Sequence, residues 1–247
     1  MNQVNGRLLI NIIDMNGGTL DPDCAIYRII PRYRLIEILE KKQLTLTHPS
    51  MWDDPFENAV LSAELHYGED IGDLAGICAG VVGQSWSLCP ESDALWRIYS
   101  HDKSGVRIKS TPKKIFNALV NSKPKKPELY CFVGKVSYQD VSEIWKIHES
   151  TSALFTSDGI AKTLLLKRKE FATGEEIRLV YTDGPRQLFM SIDIDPNQLI
   201  EEITLDPRAT DTNLQMIKAQ ATQIQYHGVI NKSKLYDVPN RLVITLD

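Results

Sequence analysis

Cysteine is scarce and unpatterned. Cys24, Cys78, Cys89 and Cys131 are the four in 247 residues, with no Cys-x-x-Cys pair and no histidine at ligand spacing. The usual zinc motifs are thereby excluded, no metal is expected, and the thiols read as buried groups in a reducing compartment. Long apolar runs are also missing. Stretches such as Leu8-Leu9-Ile10 fall far short of the roughly 18–20 residues that cross a bilayer. The N-terminus has no basic stretch leading into an apolar one and no small-residue cleavage site. The expectation is a cytoplasmic protein with no membrane partner. Nor does one sign of charge dominate: 28 Lys and Arg against 32 Asp and Glu give a net charge of −4, which does not suit a general nucleic-acid coat. Common catalytic signatures are absent, among them Gly-x-Gly-x-x-Gly, the phosphate-loop motif, His-Glu-x-x-His and Gly-x-Ser-x-Gly, and the five histidines form no nucleophile–base arrangement.

What is present suits a folded core: 43% hydrophobic and 24% charged residues. Without repeats, low-complexity stretches or an obvious linker, the chain reads as one domain over 1–247, with an N-terminal segment 1–24 ahead of a core over 26–235. Strands are expected at 26–30, 44–47, within 77–87, and at 105–109, 129–138, 176–182, 187–195, 199–205 and 241–246. Helices are expected at 34–42, from 54 towards 66, and at 92–100, 112–121, 159–171 and 212–226, the last closed by Gly228. Asp54-Pro55-Phe56-Glu57 has the pattern of a capping box, with Asp at N-cap, Pro at N1 and Glu at N3, so Asp54 and Glu57 are assigned to structure. Mixed elements without a strict βαβ rhythm predict an α+β fold with mixed central sheets and flanking helices. Two basic stretches, Lys113-Lys114 with Lys123 to Lys126, and Lys162 with Lys167-Arg168-Lys169, read as solvated faces.

An ordered set of short blocks carries a resemblance. It comprises Tyr27-Arg28, Asp53-Asp54-Pro55-Phe56-Glu57, Ser87 nine residues before Trp96, then Tyr99, His101 and Gly105-Val106, Glu176-Ile177-Arg178, and Asp206-Pro207-Arg208. In this order they resemble the bacterial domain-of-unknown-function family 2971 from about Ile26 to Leu235. The chain departs from that family's Glu-x-Glu-x-Arg strand, since Gly174 takes the place of the first Glu and Glu175 is displaced by one. Phe171 stands where Trp is usual, and Arg28 where Lys is frequent.

More distantly, an early basic residue, a central Ser-x-Ser and a late Glu resemble the order in Arg–Ser–Glu ADP-ribosyltransferases. That resemblance implies an NAD-consuming transferase or glycohydrolase, of the kind used as a toxin or phage-defence effector. Arg28 would grip the pyrophosphate, Ser87 or Ser85 would orient the ribose, and Glu176 would be the catalytic carboxylate facing an oxocarbenium-like state. Tyr27, Trp96, Tyr99 and Arg178 join the cofactor-binding set, with Trp86, Trp96 and Tyr99 as an aromatic wall. The implied partners are NAD or another nucleotide, a protein or nucleic-acid acceptor, and an antitoxin or activator. Plainer readings stand beside these: Trp96 and Tyr99 as helix packing, Arg28 as a surface ion pair, Glu176 with Arg178 as half of an exposed ion-pair ladder, and the serines as ordinary strand-end hydroxyls. Two other functions fit the same residues: a nucleotide-binding sensor without turnover, and a nucleic-acid-acting effector using the basic stretches.

Overall fold

A computed structural model describes residues 3–4, 7–8, 11–15, 19–58, 61, 63–67, 70–122, 124–149 and 156–238. In chain order it runs β1 (Gln3–Val4), β2 (Arg7–Leu8), β3 (Ile12–Asp14), β4 (Ile26–Ile30), α1 (Arg32–Lys41), β5 (Gln43–Thr47), β6 (Glu64–Tyr67), β7 (Asp70–Asp73), α2 (Ala75–Cys78), β8 (Val82–Ser87) and α3 (Asp93–Tyr99). It continues with β9 (Val106–Ser110), α4 (Pro112–Asn121), α5 (Pro127–Tyr130), β10 (Cys131–Lys135), β11 (Ser137–Gln139), α6 (Val141–Glu149), α7 (Ser157–Thr163) and β12 (Leu166–Arg168). The last elements are β13 (Glu176–Tyr181), β14 (Phe189–Asp193), α8 (Pro196–Leu199), β15 (Glu202–Leu205), α9 (Asp211–Gln223) and β16 (Val229–Lys232).

The architecture is a mixed central sheet with flanking helices. Its strand order is β16-β15-β9-β4-β8-β13-β10-β3, and β14 joins through β5. Most pairings are antiparallel, while β3 with β10 and β15 with β16 run parallel. The sheet forks at β8. Along one edge of β8, Ser87 pairs with Tyr27 of β4 and Gly83 pairs with Thr47 of β5. On the other edge β13 pairs along its full length, from Glu176↔Ser87 to Tyr181↔Val82.

Strand alternation divides β13 and β8 between two environments. Ile177, Leu179 and Tyr181 join Val82 and Trp86 in the larger apolar cluster, with Leu35 and Leu39 of α1 and Ile115, Phe116 and Leu119 of α4. α4 forms because Thr111 caps it through the Lys114 N–H, Pro112 opens it, and Ile115, Phe116 and Leu119 recur on one face. The opposite side of the sheet holds Glu176, Arg178 and a smaller cluster that includes Ile13, Phe132, Ile160, Leu164 and Val180.

Several expected elements changed. Asp54-Pro55-Phe56-Glu57 opens only a 3-10 turn over Pro55–Asn58, and residues 64–67 then pair with 70–73 as a hairpin. The reason lies in Glu57, whose carboxylate turns to Lys167 and Arg178. Asp54 still accepts from the Phe56 N–H, so half of the capping reading survives. The helix expected at 159–171 ends at Thr163, because 166–168 pair in parallel with β11. The strand expected at 129–138 is split into the short α5 turn, β10 and β11. α9 closes through Gln225 at positive φ, ahead of Gly228. α6 and β16 had no counterpart among the expectations, and the strand expected at 241–246 lies outside the described residues.

Candidate functional site

Three neighbouring strands bring the expected residues into two rows. Tyr27 of β4, Ser87 of β8 and Glu176 of β13 are successive cross-strand partners, and Ser85 pairs with Arg178 in the next row. Direct partners in antiparallel strands share a face, so these five side chains leave the sheet on one side. Arg28 alternates to the other side of β4, between the buried Ile26 and Ile30 and opposite Ile108.

Glu176 is enclosed by cations. Its Oε1 accepts from Lys167 Nζ at 2.6 Å, and its Oε2 accepts from Arg178 Nη2 at 2.8 Å and Nε at 3.2 Å. Its own N–H donates to the Tyr138 hydroxyl. Burial pushes the carboxyl pKa up, but the charges of Arg178 and Lys167 outweigh it and hold it below the ordinary value. For Lys167, burial pulls down and the carboxylates of Glu176 and Glu57 pull harder, so its pKa lies above that of a free lysine. The Tyr138 phenol is raised, by burial first and then by Glu176.

Arg178 is fully buried and closely engaged. Besides Glu176 it donates to Glu57 at 2.5 Å and to the Leu164 carbonyl at 2.6 Å, and its guanidinium lies over the Trp52 ring at 4.6 Å. Gly83 makes room for that ring, since a Cβ there would meet Trp52 and the Leu179 carbonyl at 3.1 Å. The pairing with Glu176 is therefore real but buried, not an exposed ladder, and Arg178, with four of its five N–H donors engaged, is enclosed away from a cofactor.

Trp86 and Trp96 do not form an aromatic wall. Both are buried, with indole N–H groups donated to Gln84 and Glu91 respectively. Tyr99 alone of that trio is open, at 51% exposure. It links two parts of the site: burial and then the charge of Glu176 raise its phenol, and it is the group that favours the charged form of Arg28. The Ser87 hydroxyl donates to the Gly174 carbonyl at 2.6 Å and accepts from the Cys89 N–H. Tyr27 carries the Arg107 guanidinium over its ring at 5.0 Å.

Arg28 differs from every other basic residue of the site. Among the described residues it has neither an ion pair nor a side-chain hydrogen bond. Burial brings its pKa down to about 10, with Tyr99 opposing and Arg34 assisting.

The basic stretches are largely solvated, with Lys125 and Lys126 exposed, but several members are paired. Lys113 pairs with Asp23, Lys114 with Glu201, Lys162 with Asp158, Arg168 with Asp54 and Lys169 with Asp140. Lys167 is mostly covered, between Glu57 and Glu176. Beside this cluster, Asp54 Oδ2, His148 Nδ1 and Arg168 Nε are buried without partners among the described residues, and all three residues line one small cavity of about 10 Å³. Burial lowers the His148 pKa. Among the described residues no group of three or more His, Cys, Asp or Glu side chains is placed to hold a metal ion, and no helix is long and apolar enough to cross a membrane.

Sequence reasoning missed Glu57, Lys167, Tyr138 and Trp52. Glu57 stood in a motif but looked like a cap, and Lys167 looked like one of three adjacent surface charges.

Among solved structures, Thermus sp. 2.9 DarT in complex with NAD+ is similar at TM-score 0.41 and 16% identity, over 87% of this chain and 98% of that one. The same protein in complex with carba-NAD+ gives 0.40 and 15% over the same shares, and in complex with ADP-ribosylated ssDNA 0.41 and 16% over 88% and 97%. No curated protein matches the sequence. Residues 95–179, which carry Tyr99, Lys167, Glu176 and Arg178, match the model of the family described as Protein of unknown function (DUF2971), and that match carries the chain's resemblance to the family.

Proposed function

We propose that the protein binds NAD at the face of β4, β8 and β13 and breaks its nicotinamide–ribose bond, passing ADP-ribose to an acceptor or to water. The observation that carries this reading is the row Tyr27–Ser87–Glu176, which sets an aromatic ring, a hydroxyl and a carboxylate side by side on that face. Arg28, on the opposite side of β4, is partly exposed and has no counter-charge among the described residues, and a pyrophosphate would give it two charge-assisted hydrogen bonds at once. Arg28 lies one residue from the row, within electrostatic reach of the open Tyr99.

In the reaction the C1′–N bond breaks, its electron pair leaves with neutral nicotinamide, and the acceptor oxygen forms the new bond to C1′. Ionised Glu176 steadies the positive charge on the ribose and takes the acceptor's proton. Ser87 keeps one lone pair for the ribose, Ser85 stands next to it on the same face, and Tyr27 and Tyr99 offer ring surface to the bases. A protein consuming NAD in this way suits a toxin or phage-defence effector controlled by an antitoxin or activator.

A second reading, a nucleotide-binding sensor without turnover, is favoured by the occupancy of both Glu176 oxygens. Nicotinamide release by wild type, Glu176→Gln and Arg28→Ala, with thermal melts in the presence of NAD, separates them. NAD turnover lost in Glu176→Gln and weakened NAD binding in Arg28→Ala support the transferase reading. A raised melting temperature without nicotinamide release selects the sensor, and neither effect removes both.

A further inference from the structure

Around Glu176 four charges alternate in a closed ring. Glu57 Oε1 accepts from Lys167 Nζ at 2.8 Å and Arg178 Nη2 at 2.5 Å, while Glu176 accepts from the same two cations at 2.6 and 2.8 Å. The two cations are not held equally. Arg178 is enclosed, with a third acceptor in the Leu164 carbonyl and the Trp52 ring against its face. Lys167 rises from the three-residue β12 on a flexible four-carbon stem. Beyond the two carboxylates, among the described residues, its ammonium has the Phe171 ring 4.8 Å away, and that residue is 38% exposed. A compact ammonium on a rotatable stem gives up its acceptors more readily than a forked guanidinium fixed on both edges and one face.

Leaving without a substitute would strand two buried carboxylates on a single guanidinium, which the low dielectric forbids. The departure of Lys167 therefore has to be matched by the arrival of another positive group. We propose that Lys167 is an exchangeable counter-ion: Glu57 and Glu176 form one anionic pair that takes up the cationic part of the ligand when Lys167 swings outward. On the NAD reading, on which this inference rests, that part is the nicotinamide–ribose unit, whose positive charge moves from the ring nitrogen to the ribose as the bond lengthens. Glu57 thereby becomes a second carboxylate of the site, delivered from the turn after Pro55 instead of from β13.

The test is amine acylation of the intact protein read residue by residue by mass spectrometry, with and without saturating carba-NAD, whose ring nitrogen is positive. Lys167 should label slowly alone and several-fold faster with the ligand, while Lys162 and Lys169 stay constant. A folding-safe variant, Lys167→Arg, keeps the charge but pins both carboxylates with a fork, so it should bind NAD several-fold more weakly at an equal or higher melting temperature. If NAD raises the melting temperature yet Lys167 labels no faster, or Lys167→Arg binds NAD as wild type does, this inference fails alone. If NAD has no effect on melting, it fails together with the functional reading.

Discussion

Arg178 on β13 and Arg28 on β4 lie two strands apart in one sheet, and their surroundings are opposite. At Arg178 two carboxylates, a carbonyl and an indole ring face meet the guanidinium. At Arg28 the neighbours are Ile26, Ile30 and Ile108, and among the described residues no acceptor meets the guanidinium. Burial acts on both, yet the pKa of Arg178 is raised by Glu176 and Glu57 while that of Arg28 is lowered. A saturated buried cation is explained by the fold it holds together. A partly exposed one with no acceptor among the described residues is open to an arriving anion, which is why Arg28 and not Arg178 points to a ligand.

The comparison breaks first at Arg178. Arg178→Leu should destabilise by roughly 3–5 kcal/mol, because Glu57 and Glu176 remain buried with Lys167 alone; denaturant unfolding measures it. A loss under about 1 kcal/mol would mean that the cluster is wetter and looser than its geometry.

Acid is the next lever. Glu176 has a folded pKa below the ordinary 4.5, so its stabilisation is present above that value and is lost as pH falls through the lower folded one. The raised pKa values of Lys167 and Arg178 act in the other direction, with stabilisation lost only in alkali. Unfolding free energy measured from about pH 6 to pH 3 should therefore fall in acid, and Glu176→Gln should flatten that limb.

Asp54→Ala should cost about 2 kcal/mol, more than the ~1 kcal/mol of an N-cap alone, since the pair with Arg168 goes with it. A loss no larger than that of a cap would assign the Arg168 pair no weight. The smallest effect belongs to Arg28→Met, which should stay within about 1 kcal/mol of wild type or exceed it, because a partly exposed cation with no partner among the described residues is removed. The same variant should abolish any rise in melting temperature with NAD. A large loss of stability there would show that Arg28 has a structural partner after all, and the contrast with Arg178 would collapse.

Strands and helices with strong periodicity were legible. Ile26–Ile30 and Pro112–Asn121 were read with these limits, and Glu176–Tyr181 to within a residue, because alternation, the proline at N1 and the apolar face are local signals. The misread elements share a cause. Residues 54–66 and 159–171 look helical by their neighbours in sequence, but the turn at Pro55–Asn58 and the strand at Leu166–Arg168 are set by Glu57 and Lys167 reaching charges far along the chain. A capping box and a buried ion pair use the same Asp and Glu, and only the distant partner distinguishes them.

The sequence by itself determined the residue types at the site, the alternation that puts Glu176 and Arg178 on one side of β13, and the absence of the common catalytic motifs. Tertiary structure decided which charges meet. It aligned Tyr27, Ser87 and Glu176 across a forked sheet, brought Glu57 and Lys167 to the same carboxylate, buried Trp86 and Trp96 away from any ligand, and left Arg28 unmatched among the described residues. The physical reason is that burial and Coulomb energy depend on separation in space, and for these residues separation along the chain says little about it.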